Sequence, residues 1–192
     1  MAKEKPTRVR TPKFRVSFPQ VFEAKSFQNQ PAKFSIQMLF DKKTDLTDLK
    51  KVVQIAIKEK WGDKPPKGIT LPFKDGSDKE LEGYENKIVV GAGSKYKPDV
   101  VDQKREPILA QDDFYAGCFA RAMLVAYAWE LKEGKAVLKR GVSFNLESIQ
   151  KLSDGEHFVK RSNVNDDFDD VDDDSNDKSN YETEDESDDL FM

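Results

Sequence analysis

Cysteine and histidine, the residues that most often build metal and nucleophilic sites, are almost missing from this sequence. Its 192 residues include one cysteine, Cys118, and one histidine, His157. One cysteine cannot form a disulfide within the chain, and the two residues cannot supply the ligands of an ordinary zinc site. They also leave no Cys–His or Ser–His pair for nucleophilic catalysis in a core. We therefore expect no metal, no cofactor and no enzymatic activity, with Cys118 as a small buried hydrophobe.

Long apolar segments are absent as well. No stretch approaches the ~18 apolar residues that are needed to cross a bilayer. The basic segment MAKEKPTRVR at the start of the sequence lacks the apolar core of a secretory signal. These absences predict a cytoplasmic protein without a membrane partner.

Charge is distributed very unevenly along the chain. Residues 162–192 contain 14 Asp or Glu and one Lys, a net charge of −13, so residues 1–161 carry +9 of the total of −4. The acidic segment has too little apolar surface to fold, and we expect a disordered tail. A basic body indicates a polyanionic partner such as nucleic acid, and an acidic tail indicates an interaction role.

Two segments near the N-terminus have the alternating pattern of half-buried strands. In KFRVSF, the pattern places Phe14, Val16 and Phe18 on the buried side, and the strand is expected to continue past a bend at Pro19. The segment AKFSIQMLF alternates in the same way, with its even-numbered residues inward. The turn sequence QNQP between the two segments predicts a hairpin. Residues 1–12 are interpreted as a flexible basic arm.

The next segments predict one helix and further strands. Apolar residues between Leu46 and Ile57 recur at helical spacing, with Thr44 or Asp45 as N-cap and Gly62 as the terminator. A long loop rich in Pro and Gly follows, and then the strand KIVVGAG. The alanine-rich run YAGCFARAMLVAYAWEL admits a helix, but its aromatic and β-branched residues concentrate on one parity, which favours a long strand. The segment AVLKRGVSFNL is predicted as the final strand.

Five or six strands with one helix predict a mainly β fold. The best match is a five-stranded OB-type Greek-key barrel over residues 13–161. The usual OB helix follows the third strand, whereas the predicted helix follows the second. Either the bent segment KFRVSFPQVFEAKSF counts as two strands, or the topology is a variant.

Basic and aromatic residues alternate in several parts of this body. Lys and Arg can neutralise phosphates while aromatic faces stack on unpaired bases, which is the combination that binds single strands. For any one aromatic residue, packing in the core is the competing interpretation. The predicted phosphate contacts are Lys13, Arg15, Lys33, Lys74, Lys95, Lys97 and Arg121, and the stacking candidates are Trp61, Phe73, Tyr96 and Tyr115.

Two other motifs suggest different chemistry. The segment GAGSKYK lacks the third glycine of a dinucleotide fingerprint and the end of a P-loop, so Gly91 and Gly93 are interpreted as bulge or kink glycines. Asp75, Glu85 and Lys87 have a spacing compatible with a Mg²⁺-dependent nuclease. A nuclease therefore stays open as an alternative, as does a binder of duplex DNA or RNA.

Several longer segments resemble those of a known family. KEKWGDKPP, LPFKDG, KYKPDVVD, FYAGCFARAMLVAYAW and KRGVSFNLESIQKLSDGE are similar to segments of a bacteriophage single-stranded-DNA-binding protein family, formerly a domain of unknown function. The resemblance spans roughly residues 8–160. It implies an OB fold and protection of single-stranded DNA during phage DNA replication or recombination, in the cytoplasm of an infected bacterial host.

The acidic tail resembles those of T7-like phage and bacterial single-stranded-DNA-binding proteins. Those tails end in an aromatic residue and recruit replication partners, whereas this one carries Met192 after Phe191. We expect the acidic residues to compete with DNA for the basic body, and the apolar tip to bind replication or recombination proteins. The predicted partner-binding residues are Asp188, Asp189, Leu190, Phe191 and Met192. The sequence leaves the oligomeric state open, and a homodimer is one alternative.

Overall fold

The computed structural model of the chain describes residues 6–26 and 30–158. Within these ranges the chain forms eight strands, one α-helix and two short 3₁₀ turns. The elements in chain order are β1 (Arg8–Arg10), β2 (Phe14–Lys25), β3 (Lys33–Asp41), α1 (Thr47–Trp61), β4 (Phe73–Asp75), β5 (Lys87–Ser94), β6 (Asp99–Val101), β7 (Phe119–Glu133) and β8 (Ala136–Ser153). The 3₁₀ turns are Gly76–Asp78 and Gln111–Asp113.

Five of these strands close into a barrel. β2 pairs with β3, β3 with β5, β7 with β8, and β7 with β2, all antiparallel. The remaining contact, between β5 and β8, is parallel. A five-stranded barrel with this mixed closure is the OB arrangement, so the predicted fold class is confirmed. The short strands β1, β4 and β6 extend it at its edges.

The predicted hairpin is present, but its first strand contains an irregularity. β2 and β3 pair with a register shift between Ser17 and Gln20, and Phe18 within that interval has φ 45°. The shift reverses the alternation, so that Phe14 is buried whereas Phe18 is 50% exposed. The prediction that Phe18 faces inward is therefore wrong. The prediction assumed regular strand backbone, in which every second side chain faces the same side. A residue with positive φ interrupts this alternation.

The helix has the predicted apolar face and position. Leu49, Val53 and Ala56 are buried against the barrel. Leu46, itself buried, occupies the N-cap position, while the Asp45 side chain accepts a hydrogen bond from the Thr47 N–H (2.9 Å). α1 follows the second barrel strand because the bent first segment forms one continuous strand, so the variant topology is the correct alternative.

The long alanine-rich run is a strand, as predicted. β7 buries Ala120, Ala122 and Leu124 on one face, and small side chains there leave room for large residues from the rest of the core. The helical alternative for this run is wrong. β8 continues to Ser153, well past the predicted end, because its pairing with β7 extends along both strands.

Three other expectations need correction. Residues 8–10 are not part of a flexible arm: they form β1, which pairs with β7 and buries Val9. The long loop after α1 contains β4 and the buried Tyr84. Gly91 and Gly93 lie in a regular part of β5, whose register with β3 is unbroken from Ser94 to Lys87. Local sequence did not reveal these features, because each depends on a distant strand or side chain.

The acidic segment, residues 162–192, lies outside the described residues, as do all five predicted partner-binding residues at its end. Over the described part of the chain, no helix is long and apolar enough to span a membrane.

Candidate nucleic-acid interface

An open groove runs across the outer face of β3 and β5. It has a volume of about 1010 Å³, and β2, β7 and β8 contribute its walls. Residues that line the groove include Phe18, Gln20, Lys25, Lys33, Ser35, Gln37, Gly91, Gly93, Lys95, Tyr96, Val125, Tyr127, Ser143, Asn145 and Glu147. Side chains with polar or aromatic tips dominate this set, so the groove differs from the apolar core on the other side of the same strands.

Three aromatic side chains in the groove are unusually exposed. Phe18 is 50% exposed, Tyr127 47% and Tyr96 83%. Phe18 also has a backbone conformation that costs a bulky residue of order 1–3 kcal/mol, and such strain tends to concentrate at functional sites. Tyr96 is presented by a turn in which its N–H donates to Ser94 Oγ (3.0 Å). All three rings are accessible to a flat apolar ligand.

The floor of the groove has very little side-chain volume. Gly91 and Gly93 occupy the outward positions of β5, opposite Gln37 and Ser35 on β3. A Cβ atom built at Gly91 would meet nothing within 4 Å, so the space above this glycine is open. A planar group could therefore approach the strand backbone closely at this point.

The groove also contains positive charge without a matching set of carboxylates. Lys25, Lys33 and Lys95 are exposed, and none of them has an ion pair among the described residues. The single acidic residue among the described lining residues is Glu147, which forms a salt bridge with Arg8 (2.7 Å). The three lysines favour an anionic ligand, because Coulomb attraction to the groove is opposed by no free carboxylate among these lining residues.

A hydrogen-bond network orders the polar side of the groove around Gln37. Its Oε1 accepts from Lys79 Nζ (2.9 Å) and from the Tyr84 hydroxyl (3.1 Å), which is also 2.7 Å from Ser17 Oγ. Burial lowers the pKa of Lys79, and the nearby charge of Lys74 lowers it further. Burial raises the pKa of Tyr84. The Gln37 carboxamide is therefore held in one orientation, with its NH₂ group left to donate.

Comparison with known proteins identifies the family. Residues 7–179 match the family model described as Enterobacter phage Enc34, ssDNA-binding protein. The chain belongs to this family. A curated relative, putative protein p50 of Acyrthosiphon pisum secondary endosymbiont phage 1, is 32% identical over 158 residues, covering 76% of this chain and 83% of the relative.

Solved structures support the same fold. The family's single-stranded DNA-binding protein from bacteriophage Enc34, in complex with ssDNA, has a TM-score of 0.67 at 24% identity, over 81% of this chain and 91% of that one. The single-stranded DNA-binding protein gp2.5 of bacteriophage T7 has a TM-score of 0.54 at 12% identity, over 94% of this chain and 98% of that one. At these identities the likeness establishes the shared OB architecture.

Three of the predicted contact residues of this family member lie together in the groove. Lys33, Lys95 and Tyr96 line it directly. Lys97 is exposed two residues beyond Lys95, and Lys74 is exposed on β4. The three lining residues come from the second and third barrel strands and their flanking turns, so the groove unites side chains that are far apart in the sequence.

Other predicted cations make contacts inside the body instead. Arg15 donates from Nε to the Gly117 carbonyl (3.2 Å) and from Nη2 to the Glu156 carbonyl (2.8 Å). Lys13 lies over the Phe119 ring, 5.2 Å from its centroid. Arg121 lies in a separate cavity, which the groove does not include. The first two residues therefore have structural contacts outside the groove.

The remaining predicted aromatic residues also lie outside the groove. Trp61 packs partly against the core and donates from Nε1 to Glu130 (2.8 Å), and Phe73 packs edge-on to Phe144. Tyr115 stacks on His157 at 3.8 Å and donates its hydroxyl to the Gly155 carbonyl (3.0 Å). All three aromatic residues stabilise packing in the described structure.

Sequence reasoning missed Phe18, Tyr127 and Lys25 as groove residues. Tyr127 could have been found, because its position in the alternating pattern of β7 places it on the face that does not carry the small buried residues. Lys25 could have been found from its place at the end of β2, whose last three residues are exposed. Phe18 carries no such signal, since its outward position depends on the backbone irregularity at that residue.

Proposed function

We propose that this protein binds single-stranded DNA in the groove, with little preference for sequence. One observation carries the proposal: three exposed rings converge with Lys25, Lys33 and Lys95 over a glycine floor on the outer face of β3 and β5. Lysines neutralise phosphates, and a base stacked on an aromatic ring contributes ~1–3 kcal/mol. Every base has a π-face, so stacking tolerates all four bases. The family name supports the same ligand.

The exposed rings favour a single strand over a duplex. A stacking ring needs an unpaired base whose face is free, and Watson–Crick helices bury those faces. Tyr96 extends from a turn and Tyr127 from the middle of a strand, so the two rings approach the groove from different elements. Duplex DNA or RNA could use the lysines but not the rings, and binding to either is an outcome of the test below.

We further propose that the protein acts without a catalytic step. The residues of the nuclease alternative have separate partners: Asp75 accepts from Lys42 (3.0 Å), Glu85 from the Gly83 N–H (3.1 Å), and Lys87 pairs with Asp41. Across the described part of the chain, no three acidic, His or Cys side chains form a group that could hold a metal ion. The proposed role is protection of single-stranded DNA during phage DNA replication or recombination, inside the infected bacterial cell.

The acidic tail is proposed to regulate binding and to recruit partners. Its net charge of −13 is tethered to a groove that contains three exposed lysines, so it would compete with DNA at a high effective concentration. A long single strand would displace it by occupying more contacts. Leu190, Phe191 and Met192 are then free to bind a hydrophobic site on a replication or recombination protein.

The test compares the full chain with residues 1–161 on oligo-dT and on a hairpin duplex, across a salt series. We expect oligo-dT to bind more tightly than the hairpin, tighter binding by the truncated chain, and a steep loss of affinity with salt for both. Equal affinity for oligo-dT and the hairpin would favour a general nucleic-acid binder. Unchanged affinity after truncation would eliminate competition by the tail. Mg²⁺-dependent degradation, abolished by Glu85→Ala, would support the nuclease instead.

A further inference from the structure

A second, smaller cavity lies on the outer face of β7 and β8. Its volume is about 190 Å³, and three arginines line it: Arg10 from β1, Arg105 from the loop after β6, and Arg121 from β7. The described lining includes no Asp or Glu. Among the described residues, no ion pair neutralises any of the three guanidinium groups. This arginine pocket therefore concentrates three positive charges in a space suited to one small anionic group.

The arginine pocket is ordered by hydrogen bonds that leave guanidinium donors available. Arg121 donates from Nε to Gln150 Oε1 (2.9 Å), and the Gln150 NH₂ donates in turn to the carbonyls of Asp102 (3.1 Å) and Gln103 (3.2 Å). This chain of hydrogen bonds fixes the plane of the Arg121 guanidinium through Nε. Its two terminal nitrogens can form the paired hydrogen bonds that an Arg makes with a phosphate.

The loop that carries the second arginine is held tightly. Asp102 Oδ1 accepts from the N–H groups of Lys104 (2.8 Å) and Glu106 (2.9 Å), and Arg105 between them has φ 71°. A non-glycine residue in this conformation costs of order 1–3 kcal/mol, which the surrounding contacts must offset. These contacts hold the backbone of Arg105 at the edge of the cavity, where its side chain is exposed.

The arginine pocket continues the path of the groove. Along β7, Tyr127 and Val125 line the groove, and Met123 and Arg121 on the same face line the pocket. On β8 the boundary falls between adjacent residues, because Glu147 lines the groove and Ser148 lines the pocket. The path from Tyr127 to Arg121 is about 20 Å along the strand.

The carboxylate at this boundary has its own counter-ion. Glu147 forms its salt bridge with Arg8, which lies on β1 two residues before Arg10. An anionic chain that passes from the groove to the arginine pocket therefore meets a neutralised carboxylate rather than a free one. The charge along this path stays favourable to a polyanion.

We propose that the arginine pocket binds a backbone phosphate of the same DNA strand that occupies the groove. The contact surface then extends beyond the barrel face, and the number of nucleotides covered is larger than the groove alone would hold. This inference rests on the proposed function. A phosphodiester suits the pocket because it is tetrahedral and anionic. Phosphates also recur along the DNA strand, so a strand whose bases stack on the rings can place one of its phosphates among the arginines.

The test uses the full chain and oligo-dT that is lengthened by one nucleotide at a time. Arg10→Gln and Arg121→Gln are measured singly and together, with Lys50→Gln on the exposed side of α1 as the matched removal of charge outside both cavities. The Arg10 side chain makes no hydrogen bond within the described structure, so Arg10→Gln should be as stable as the wild type. This variant keeps the test informative even if Arg121→Gln is less stable because it loses the Arg121–Gln150 hydrogen bond. Thermal unfolding checks each variant.

We expect short oligonucleotides to bind the variants and the wild type alike. Beyond a threshold length, the wild type should gain affinity that the variants lack. We expect a loss of about tenfold for each single variant, as for one charged hydrogen bond, and a loss at least as large for the double variant. The slope of log K against log salt should fall by about 0.7 for each phosphate that the variant no longer neutralises. Lys50→Gln should behave as wild type.

Three results would overturn the inference, and they differ in what they leave standing. If wild type and Arg10→Gln have the same length dependence and the same salt slope, the arginine pocket does not contact DNA, and the proposed binding in the groove is unaffected. Tighter binding of long oligo-dT by the double variant would assign the pocket to the acidic tail instead of DNA. Failure of the wild type to bind oligo-dT of any length would remove the proposed function itself.

Discussion

Tyr96→Ala tests binding with little effect on stability, because Tyr96 is the most exposed of the three rings in the groove. The ring is 83% exposed, so about one sixth of its surface is covered by the protein. An aromatic side chain buries about 200 Å² when fully enclosed. The substitution therefore removes about 35 Å² of buried side-chain surface. At ~25 cal/mol/Å², this loss lowers the free energy of unfolding by less than about 1 kcal/mol. If the ring stacks on a base, the loss in binding is ~1–3 kcal/mol, roughly 5- to 150-fold in Kd.

Leu109→Ala is the matched control, because Leu109 is 84% exposed and lines neither cavity. Fluorescence anisotropy with labelled oligo-dT at one fixed salt concentration gives Kd, and urea unfolding gives stability. Tyr96→Phe should bind as wild type, since it keeps the π-face. A change in Kd for Tyr96→Ala no larger than that for Leu109→Ala would refute stacking at this ring.

Three further substitutions or conditions test the site and the fold. Gly91→Val should weaken oligo-dT binding roughly tenfold in a filter-binding assay, because the valine side chain fills the open floor of the groove. The Tm should stay near that of the wild type. Equal affinity of variant and wild type would show that no base approaches β5. The Ser77 N–H, helped by Lys42, lowers the pKa of Asp75 to about 2, so its stabilising contribution should be complete above about pH 4 and lost as pH falls toward 2. Urea unfolding of Asp75→Asn should therefore show a deficit in stability at neutral pH that becomes smaller as pH falls from 4 toward 2, and an equal deficit at pH 7 and pH 2 would contradict this assignment. Burial raises the pKa of Cys118, so its reaction with a thiol reagent should be slow in the native protein and fast in denaturant; rapid native labelling would contradict its burial.

The fold could be predicted because its signals are local. Alternation in β3 and small residues on one parity of β7 followed directly from burying one face of a strand. The helix from Thr47 to Trp61 followed from the spacing of its apolar residues. The candidate site was predicted in part: Lys33, Lys95 and Tyr96 are in the groove, since basic and aromatic residues next to strand ends tend to be exposed.

The rest of the site could not be predicted because partners distant in sequence determine it. Arg15 and Tyr115 are residue types that commonly contact DNA, yet both side chains contact the segment from Asp154 to His157. Phe18 has the position of a core residue, yet a local backbone irregularity turns it outward. Residue type indicates what a side chain can bind, whereas exposure and available partners decide whether it does.

The sequence by itself determined the five barrel strands, the helix, the family and the division of charge between a basic body and an acidic end, because these depend on residues close together or on composition. Tertiary structure alone decided that the rings of Phe18, Tyr96 and Tyr127 share one groove, and that Arg10, Arg105 and Arg121 share one pocket. Barrel closure is the physical reason: it brings strands from opposite ends of the chain into hydrogen-bonding contact, and so places their outward side chains on one surface.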